Sequence, residues 1–121
     1  MEQNKINNGV FLKVHLSLYT SGLATKLGKE LGTLMAIASY MNEEGNCYPT
    51  QRQLAQRTGT SPNLINRHIK KLLAFRINGK PILTRKIVHN ERGFNNSVYK
   101  IHPISQISIF KGNVESINFL E

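Results

Sequence analysis

The segment CYPTQRQLAQRTGTSPNLINRHIKKLLAF, residues 47–75, decides the fold because it encodes two helices joined by a short turn. Thr50 and, three residues later, Gln53 form the pattern of a capping box, which predicts that the first helix starts at Thr50. Ser61 is a good N-cap, and Pro62 suits the first helical position, where no backbone N–H is needed. The second helix is therefore predicted to start at Ser61.

The spacing of small and apolar residues in this segment is that of a helix-turn-helix. Ala55 is small and allows two helices to approach closely, Gly59 supplies a left-handed turn, and Ile65 fills the wedge where the helices cross. Leu54 and Ile69 would complete the same core. The alternative is an ordinary pair of antiparallel helices in a small bundle.

The side of the second helix that is predicted to face solvent argues against that alternative. An apolar stripe predicts the buried side, and its members are Ile65, Ile69, Leu72 and Leu73. Hydrogen-bond donors and no acid lie roughly opposite, at Asn63, Asn66, Arg67 and Lys70. In a helix-turn-helix, the corresponding side of the second helix lies in the major groove of DNA.

Positive charge is concentrated in the same part of the chain. Residues 51–100 hold eleven basic residues and one acid, a net charge of +10, whereas the other 71 residues hold five basic and six acidic ones. This distribution favours an anionic polymer as partner, above all nucleic acid, whose phosphates release counterions on binding. A merely solvated basic surface is the alternative. A membrane surface is disfavoured, since the basic residues do not follow one long amphipathic helix.

Patterns on both sides of the two helices predict the remaining elements. Apolar residues alternate from Val10 to Leu18, which predicts a strand. One helix is predicted next, with Gly45 as its C-terminal breaker and an apolar stripe of Leu27, Leu31, Leu34, Met35, Ala38 and Met41. Two runs rich in β-branched residues, 82–89 and 97–102, predict a hairpin around a seven-residue loop at 90–96. Ile107 and Ile109 predict a strand that could pair with Val10–Leu18.

The order of three helices and a hairpin is that of a winged helix-turn-helix, an α+β fold. We expect an N-terminal arm and strand at residues 1–20 and the winged helix-turn-helix at 21–102. A C-terminal tail follows at 103–121, either a strand or an arm for dimerisation or a partner. In this fold the hairpin is the wing and lies along DNA phosphates, with basic contacts at Arg85, Lys86, His89 and Arg92.

Residues 10–102 resemble the winged helix-turn-helix domains of plasmid and phage proteins from low-GC Gram-positive bacteria. Tyr48-Pro49-Thr50 matches the element that opens the second helix in that group, and the segment 96–101, NSVYKI, matches the element that closes the wing. The leading FLKVHLSLY is also similar. Members include replication initiators, replisome-loading proteins and small repressors. Full initiators usually carry further domains, so the length of 121 residues favours a stand-alone or accessory protein.

These observations predict a set of DNA-contacting residues. We expect Arg67 to read a guanine edge, and Asn63 and Asn66 to contact adenine or phosphate. Hydroxyl groups and free N–H groups at the helix starts suit phosphate. The complete predicted set is Thr50, Gln51, Arg52, Thr60, Ser61, Asn63, Asn66, Arg67, Lys70, Lys71, Arg85, Lys86, Arg92 and Asn95.

Composition disfavours most other classes. The chain has no Asp and one cysteine, Cys47, so a His-Asp relay and a Cys-rich zinc site are excluded. The four histidines are scattered, and no nucleotide-binding or nucleophile motif occurs. No apolar run is long enough for a membrane span, and the N-terminus lacks the apolar stretch of a signal peptide. We therefore expect a cytoplasmic protein that is not an enzyme and needs no metal or cofactor.

Three functions fit these expectations. The first is a sequence-specific binder of double-stranded DNA, a small homodimeric transcriptional regulator of a plasmid or phage. The second is a replication or segregation factor that binds origin or centromere-like repeats and recruits a partner through its tail. The third is a winged-helix adaptor between proteins. The first strand, the first helix and the Ile-rich tail are the candidate dimer contacts.

Overall fold

The computed structural model describes residues 6–89, 91–93 and 95–115. The α-helices in these ranges are α1 Ser17–Thr20, α2 Leu23–Leu27, α3 Glu30–Ala38, α4 Gln51–Thr58 and α5 Pro62–Ala74. The strands are β1 Ile6–Val14, β2 Asn46–Cys47, β3 Arg76–Ile77, β4 Lys80–Pro81, β5 Leu83–His89, β6 Asn95–Ile101 and β7 Ile107–Glu115. The helices α3, α4 and α5 pack together and strand pairs follow them, so the predicted α+β winged helix-turn-helix with an N-terminal strand is confirmed.

The core lies where α3, α4 and α5 meet. Leu54 of α4 and Ile65 and Ile69 of α5 are fully buried, together with Leu34 and Ile37 of α3. Burying such a side chain contributes roughly 1.5–3 kcal/mol. The predicted apolar stripe of α5 is confirmed, although its last member, Leu73, is only half-buried.

The local signals in the helix-turn-helix segment are confirmed. The Thr50 hydroxyl accepts a hydrogen bond from the Gln53 backbone N–H at 3.1 Å, and the Thr50 N–H donates to Gln53 Oε1 at 2.8 Å. Gly59 has a φ of +72° and ends α4 in the left-handed conformation. Ser61 caps α5 through its hydroxyl, which accepts from the Leu64 N–H at 3.2 Å.

The predicted hairpin is confirmed as β5–β6, but the sheet has a third strand. Strand β6 begins at Asn95, so the loop is shorter than predicted. Strand β2 was not predicted, because two residues show no alternation; it pairs with β6 and places Cys47 opposite Tyr99. Both side chains are buried, and desolvation raises the pKa of the Cys47 thiol to about 12.

A second, smaller hairpin follows α5 directly. Strands β3 and β4 turn at Asn78 and Gly79, which both have positive φ values of 51° and 78°. Two successive residues with positive φ characterise the type I′ turn, for which Asn-Gly is the preferred sequence. The signal for this hairpin was therefore in the sequence, but we did not predict it.

Two predictions in the N-terminal part were wrong. The strand Val10–Leu18 ends at Val14, because Leu18 turns into the core from α1 while Leu16 is 78% exposed. The single helix is broken: Gly28, with a φ of +55°, ends α2, and α3 ends at Ala38. The alternating leucines have the spacing of a strand although they do not form one. The apolar stripe continues from α2 into α3, so its spacing did not reveal that the helix ends between them.

The predicted pairing between the N-terminal strand and the tail is confirmed. Strands β1 and β7 form an antiparallel two-stranded sheet, the β1–β7 ribbon, whose register runs from Ile6 opposite Glu115 to Val14 opposite Ile107. Leu12 packs with Val14 and Ile107 against the core at one end of the ribbon.

We predict that Gly45→Ala destabilises the fold more than Gly59→Ala does. Both glycines have a positive φ, which costs an L-residue about 1–2 kcal/mol. An added Cβ has open space at Gly59 but would lie 2.8 Å from the Ile101 carbonyl oxygen at Gly45. Urea unfolding should show a loss of about 1 kcal/mol for Gly59→Ala and at least twice that for Gly45→Ala. Equal losses would contradict the close approach of Gly45 to β6.

Candidate nucleic-acid interface

The outer side of α5 is a polar surface. The term polar surface refers below to its four residues, which are Asn63, Asn66, Arg67 and Lys70. Asn63, Arg67 and Lys70 are exposed and Asn66 is half-buried, whereas Ile65 on the opposite side has no exposed surface. The amphipathic spacing of α5 fixes this division. The structure therefore brings these four predicted DNA-contacting residues to one face that is open to a ligand.

The start of α4 holds one residue of this surface in place. The Gln51 side-chain amide donates a hydrogen bond to Asn66 Oδ1 at 3.2 Å. Gln51 is the first residue of α4, so the bond joins the two helices on their polar side. Because the Asn66 oxygen accepts this bond, the NH₂ group of Asn66 is the end that can donate to a ligand.

The predicted hydroxyl contacts do not form one group. Thr50 and Ser61 are exposed caps whose oxygens accept backbone N–H groups, which leaves each O–H able to donate to a phosphate. Thr60 is half-buried, and its hydroxyl forms a hydrogen bond of 2.8 Å with the Thr58 hydroxyl. Both residues line a groove beside α3. The structure thus places Thr60 with a different surface, and a phosphate contact there stays a prediction.

A second groove joins the start of α4 to the wing, by which we mean the β5–β6 hairpin. Its lining includes Tyr48, Thr50 and Gln51 on one side and Asn96 and Ser97 of β6 on the other. Tyr48 is 61% exposed. Sequence reasoning did not assign Tyr48, Asn96 or Ser97 to the site, because only the pairing of β2 with β6 brings these segments together.

The wing presents its basic residues on both faces. Arg85 lies opposite Tyr99 and Lys86 lies opposite Val98, so the two neighbours point to opposite faces of the hairpin. Both are exposed, as is Arg92 in the turn. The predicted contact Asn95 lies opposite His89, and its side chain is outside the described part of the structure.

The remaining predicted contacts flank the outer side of α5. Arg52 is exposed on the first turn of α4, and Lys71 is exposed beside Lys70. No acidic residue occurs between Asn46 and Asn90, so nothing in the helix-turn-helix segment or in strand β5 compensates this charge.

Arg57 and Arg76 of the basic segment have partners within the protein. Arg57 donates to the Ser39 hydroxyl at 2.7 Å, and its guanidinium carbon lies 3.9 Å from the centroid of the Tyr40 ring. Arg76 donates to the carbonyl oxygens of Leu73 and Phe75 at 2.8 and 3.0 Å, where it stabilises the C-terminal end of α5. These two arginines therefore support the fold around the polar surface.

His68 of α5 is buried against α3. It is 8% exposed, and its Nδ1 lies 2.7 Å from the Thr33 hydroxyl, so it links α5 to α3. Among the described residues no group of three His, Cys or Glu side chains could hold a metal ion. No helix in the described ranges has the length and apolarity needed to cross a membrane.

Comparison with known proteins agrees with this geometry. The sequence profile of a family described as "Helix-turn-helix domain" matches residues 26–76. The match runs from the end of α2 to the start of β3 and includes α3, α4 and α5. No curated protein and no solved structure matches the chain. Residues 26–76 are thus similar to a helix-turn-helix domain, and this similarity suggests DNA binding.

We predict that Gln51 and Asn66 act as a pair in DNA binding. Gln51→Ala frees the Asn66 amide to rotate, so Asn66→Ala should cost less affinity in the Gln51→Ala background than alone. A double-mutant cycle measured by fluorescence anisotropy on a selected duplex should give a coupling energy of about 0.5–1 kcal/mol. The cycle Gln56→Ala with Asn66→Ala is the control, since Gln56 lies on the same helix without this bond. Additive losses for Gln51 and Asn66 would contradict the pairing.

Proposed function

We propose that this protein binds double-stranded DNA in a sequence-specific manner, with α5 in the major groove and the wing along the adjacent phosphates. One observation carries the proposal: the outer side of α5 presents four donor-bearing side chains in a segment that contains no acid. A helix that only packs in a bundle has no need for such a surface. The donors match the acceptor-rich guanine edge in the major groove.

The position of each side chain supports a division of roles. Arg67 lies near the middle of the outer side of α5, and its guanidinium can donate two bonds to one guanine. Asn66, held by Gln51, would donate to a neighbouring base or phosphate. Lys70, Lys71 and Arg52 lie around this centre and would bind phosphates, which position the protein without reading sequence.

Double-stranded DNA fits this surface better than single strands do. Single-strand binders stack successive bases on aromatic side chains in a basic groove. The exposed tyrosines in the described part of the chain, Tyr19 and Tyr48, lie on separate elements. Among the described residues of the wing, the exposed apolar side chains are those of Ile87 and Val88, which are aliphatic and do not stack on bases.

The biological role that we propose is transcriptional regulation by a small, non-catalytic plasmid or phage protein. Such a regulator would act as a dimer on half-sites about 34 Å apart. Footprinting on DNA selected from the protein's own genetic neighbourhood tests this role. A single palindrome that overlaps a promoter is expected. Tandem direct repeats away from promoters would instead indicate a segregation or replication factor.

Arg67→Ala should remove base-specific binding. The expected loss at the preferred site is about 1–3 kcal/mol, with relaxed preference at one base position, because a bidentate contact to guanine is lost. Selection from a randomised duplex library followed by anisotropy titration measures both effects. Lys80→Ala removes one positive charge at an exposed position of β4, away from α5, and should keep the base preference. An unchanged preference for Arg67→Ala would contradict its role as a base reader.

Lys70→Ala should weaken binding to every duplex alike. If Lys70 neutralises one phosphate, the slope of log K against log [KCl] should fall in magnitude by about one. Lys26→Ala, an equal charge loss on α2, is the matched control and should leave the slope unchanged. The same slope for wild type and Lys70→Ala would show that Lys70 binds no phosphate.

A further inference from the structure

The β1–β7 ribbon has two open edges. It contains only two strands, and no other strand of the described residues pairs with either of them. Each strand has nine residues, so the ribbon is about 30 Å long. An isolated two-stranded ribbon is at best marginally stable in water, and an open edge is a template for another strand. The ribbon thus has open edges at which a further strand can pair.

One hydrogen bond shows which backbone groups the β1 edge offers. The His15 N–H donates to the Gln106 carbonyl at 2.9 Å and continues the β1–β7 register by one residue pair. Hydrogen-bonded and non-hydrogen-bonded pairs alternate in an antiparallel ladder. The odd-numbered residues of β1 therefore bond to β7. The even-numbered residues from Ile6 to Val14 direct their N–H and C=O groups to the open edge.

We infer that a second copy of this chain pairs with that edge, so that β1 and its symmetry mate join two ribbons into one four-stranded antiparallel sheet. A two-fold axis at Val10 places Val10 opposite Val10 of the partner subunit. The same axis places Asn8 opposite Leu12 of the partner subunit, and the whole length of β1 is paired. Such an interface is self-complementary, as two-fold symmetry requires.

Charge distinguishes the β1 edge from the β7 edge. The only charged residue of β1 is Lys13, and in the full-length pairing it lies opposite Asn7 of the partner subunit. The same full-length pairing of β7 would centre on Lys111 and place it opposite Lys111 of the partner subunit. Like charges directly opposite each other destabilise a strand pair. The β1 edge is therefore the favourable one.

Charge and exposed apolar surface also favour the ribbon as the place where two copies meet. Residues 51–100 carry a net charge of +10, so two copies repel each other through that segment. The ribbon lies outside it, in the part of the chain that is nearly neutral. Leu16 and Tyr19 follow β1 directly and are 78% and 65% exposed, which provides apolar surface beside the proposed contact.

Self-association does not depend on the proposed DNA binding, so its test contains no DNA. Sedimentation equilibrium of the full chain should give twice the chain mass of 13.7 kDa. Asn8 and Asn113 are opposite each other in the ribbon, and the N–H of each points to an open edge. Proline at such a position removes an outward N–H and leaves the β1–β7 bonds in place. Asn8→Pro should be a monomer and Asn113→Pro a dimer.

A cysteine cross-link tests the register without disturbing the ladder. Cys47 is buried and its pKa is about 12, so an introduced cysteine is the reactive thiol of the chain. Opposed Cα atoms of a hydrogen-bonded pair lie about 5.5 Å apart, within disulfide range. Val10→Cys should form a disulfide-linked dimer under mild oxidation, and Lys111→Cys, opposite Val10 in the ribbon, should not.

Three results would overturn the inference. The first is a monomeric wild type at about 100 µM, well above the micromolar Kd of a weak dimer. The second is a dimer that survives Asn8→Pro but not Asn113→Pro. The third is failure of Val10→Cys to cross-link faster than Lys111→Cys.

Discussion

The wedge of apolar side chains between α4 and α5 is the contact on which the rest of the structure depends. Ile65 has no exposed surface and lies against a core that includes Leu54 and the small Ala55. Gly59 sets the direction in which the chain leaves α4, and the Ser61 cap sets where α5 begins. Once this buried side is fixed, the opposite side of α5 must face outward. The exposure of the polar surface is thus a consequence of packing.

The wing is joined to the helices by buried contacts of the same kind. Strand β2 comes between α3 and α4 and pairs with β6, which places Cys47 against Tyr99. Both side chains are almost wholly buried, so the wing cannot turn freely relative to the start of α4. The two surfaces that we assign to DNA, one on α5 and one on the wing, therefore have a fixed relation.

Local codes made the central part of the fold predictable. The capping box at Thr50, the Ser-Pro start of α5 and the turn at Gly59 each act within a few residues and were found from sequence. The predictions were wrong where contacts between residues distant in sequence determine the local structure. The leucines at 16 and 18 alternate like a strand, yet the backbone turns into α1 because Leu18 reaches the core. Strand β2 is too short to show a period and exists because β6 pairs with it. The Gln51–Asn66 bond joins residues fifteen positions apart and has no sequence signature.

The most direct test of DNA binding through α5 is to map the residues that a duplex contacts. Backbone amide shifts of the ¹⁵N-labelled chain, followed by NMR during titration with a mixed-sequence duplex at low salt, report this contact residue by residue. We predict that the largest changes fall on residues 63–71 of α5 and on the β5–β6 hairpin. Changes confined to the β1–β7 ribbon or to α3, with the amides of α5 unmoved, would contradict it.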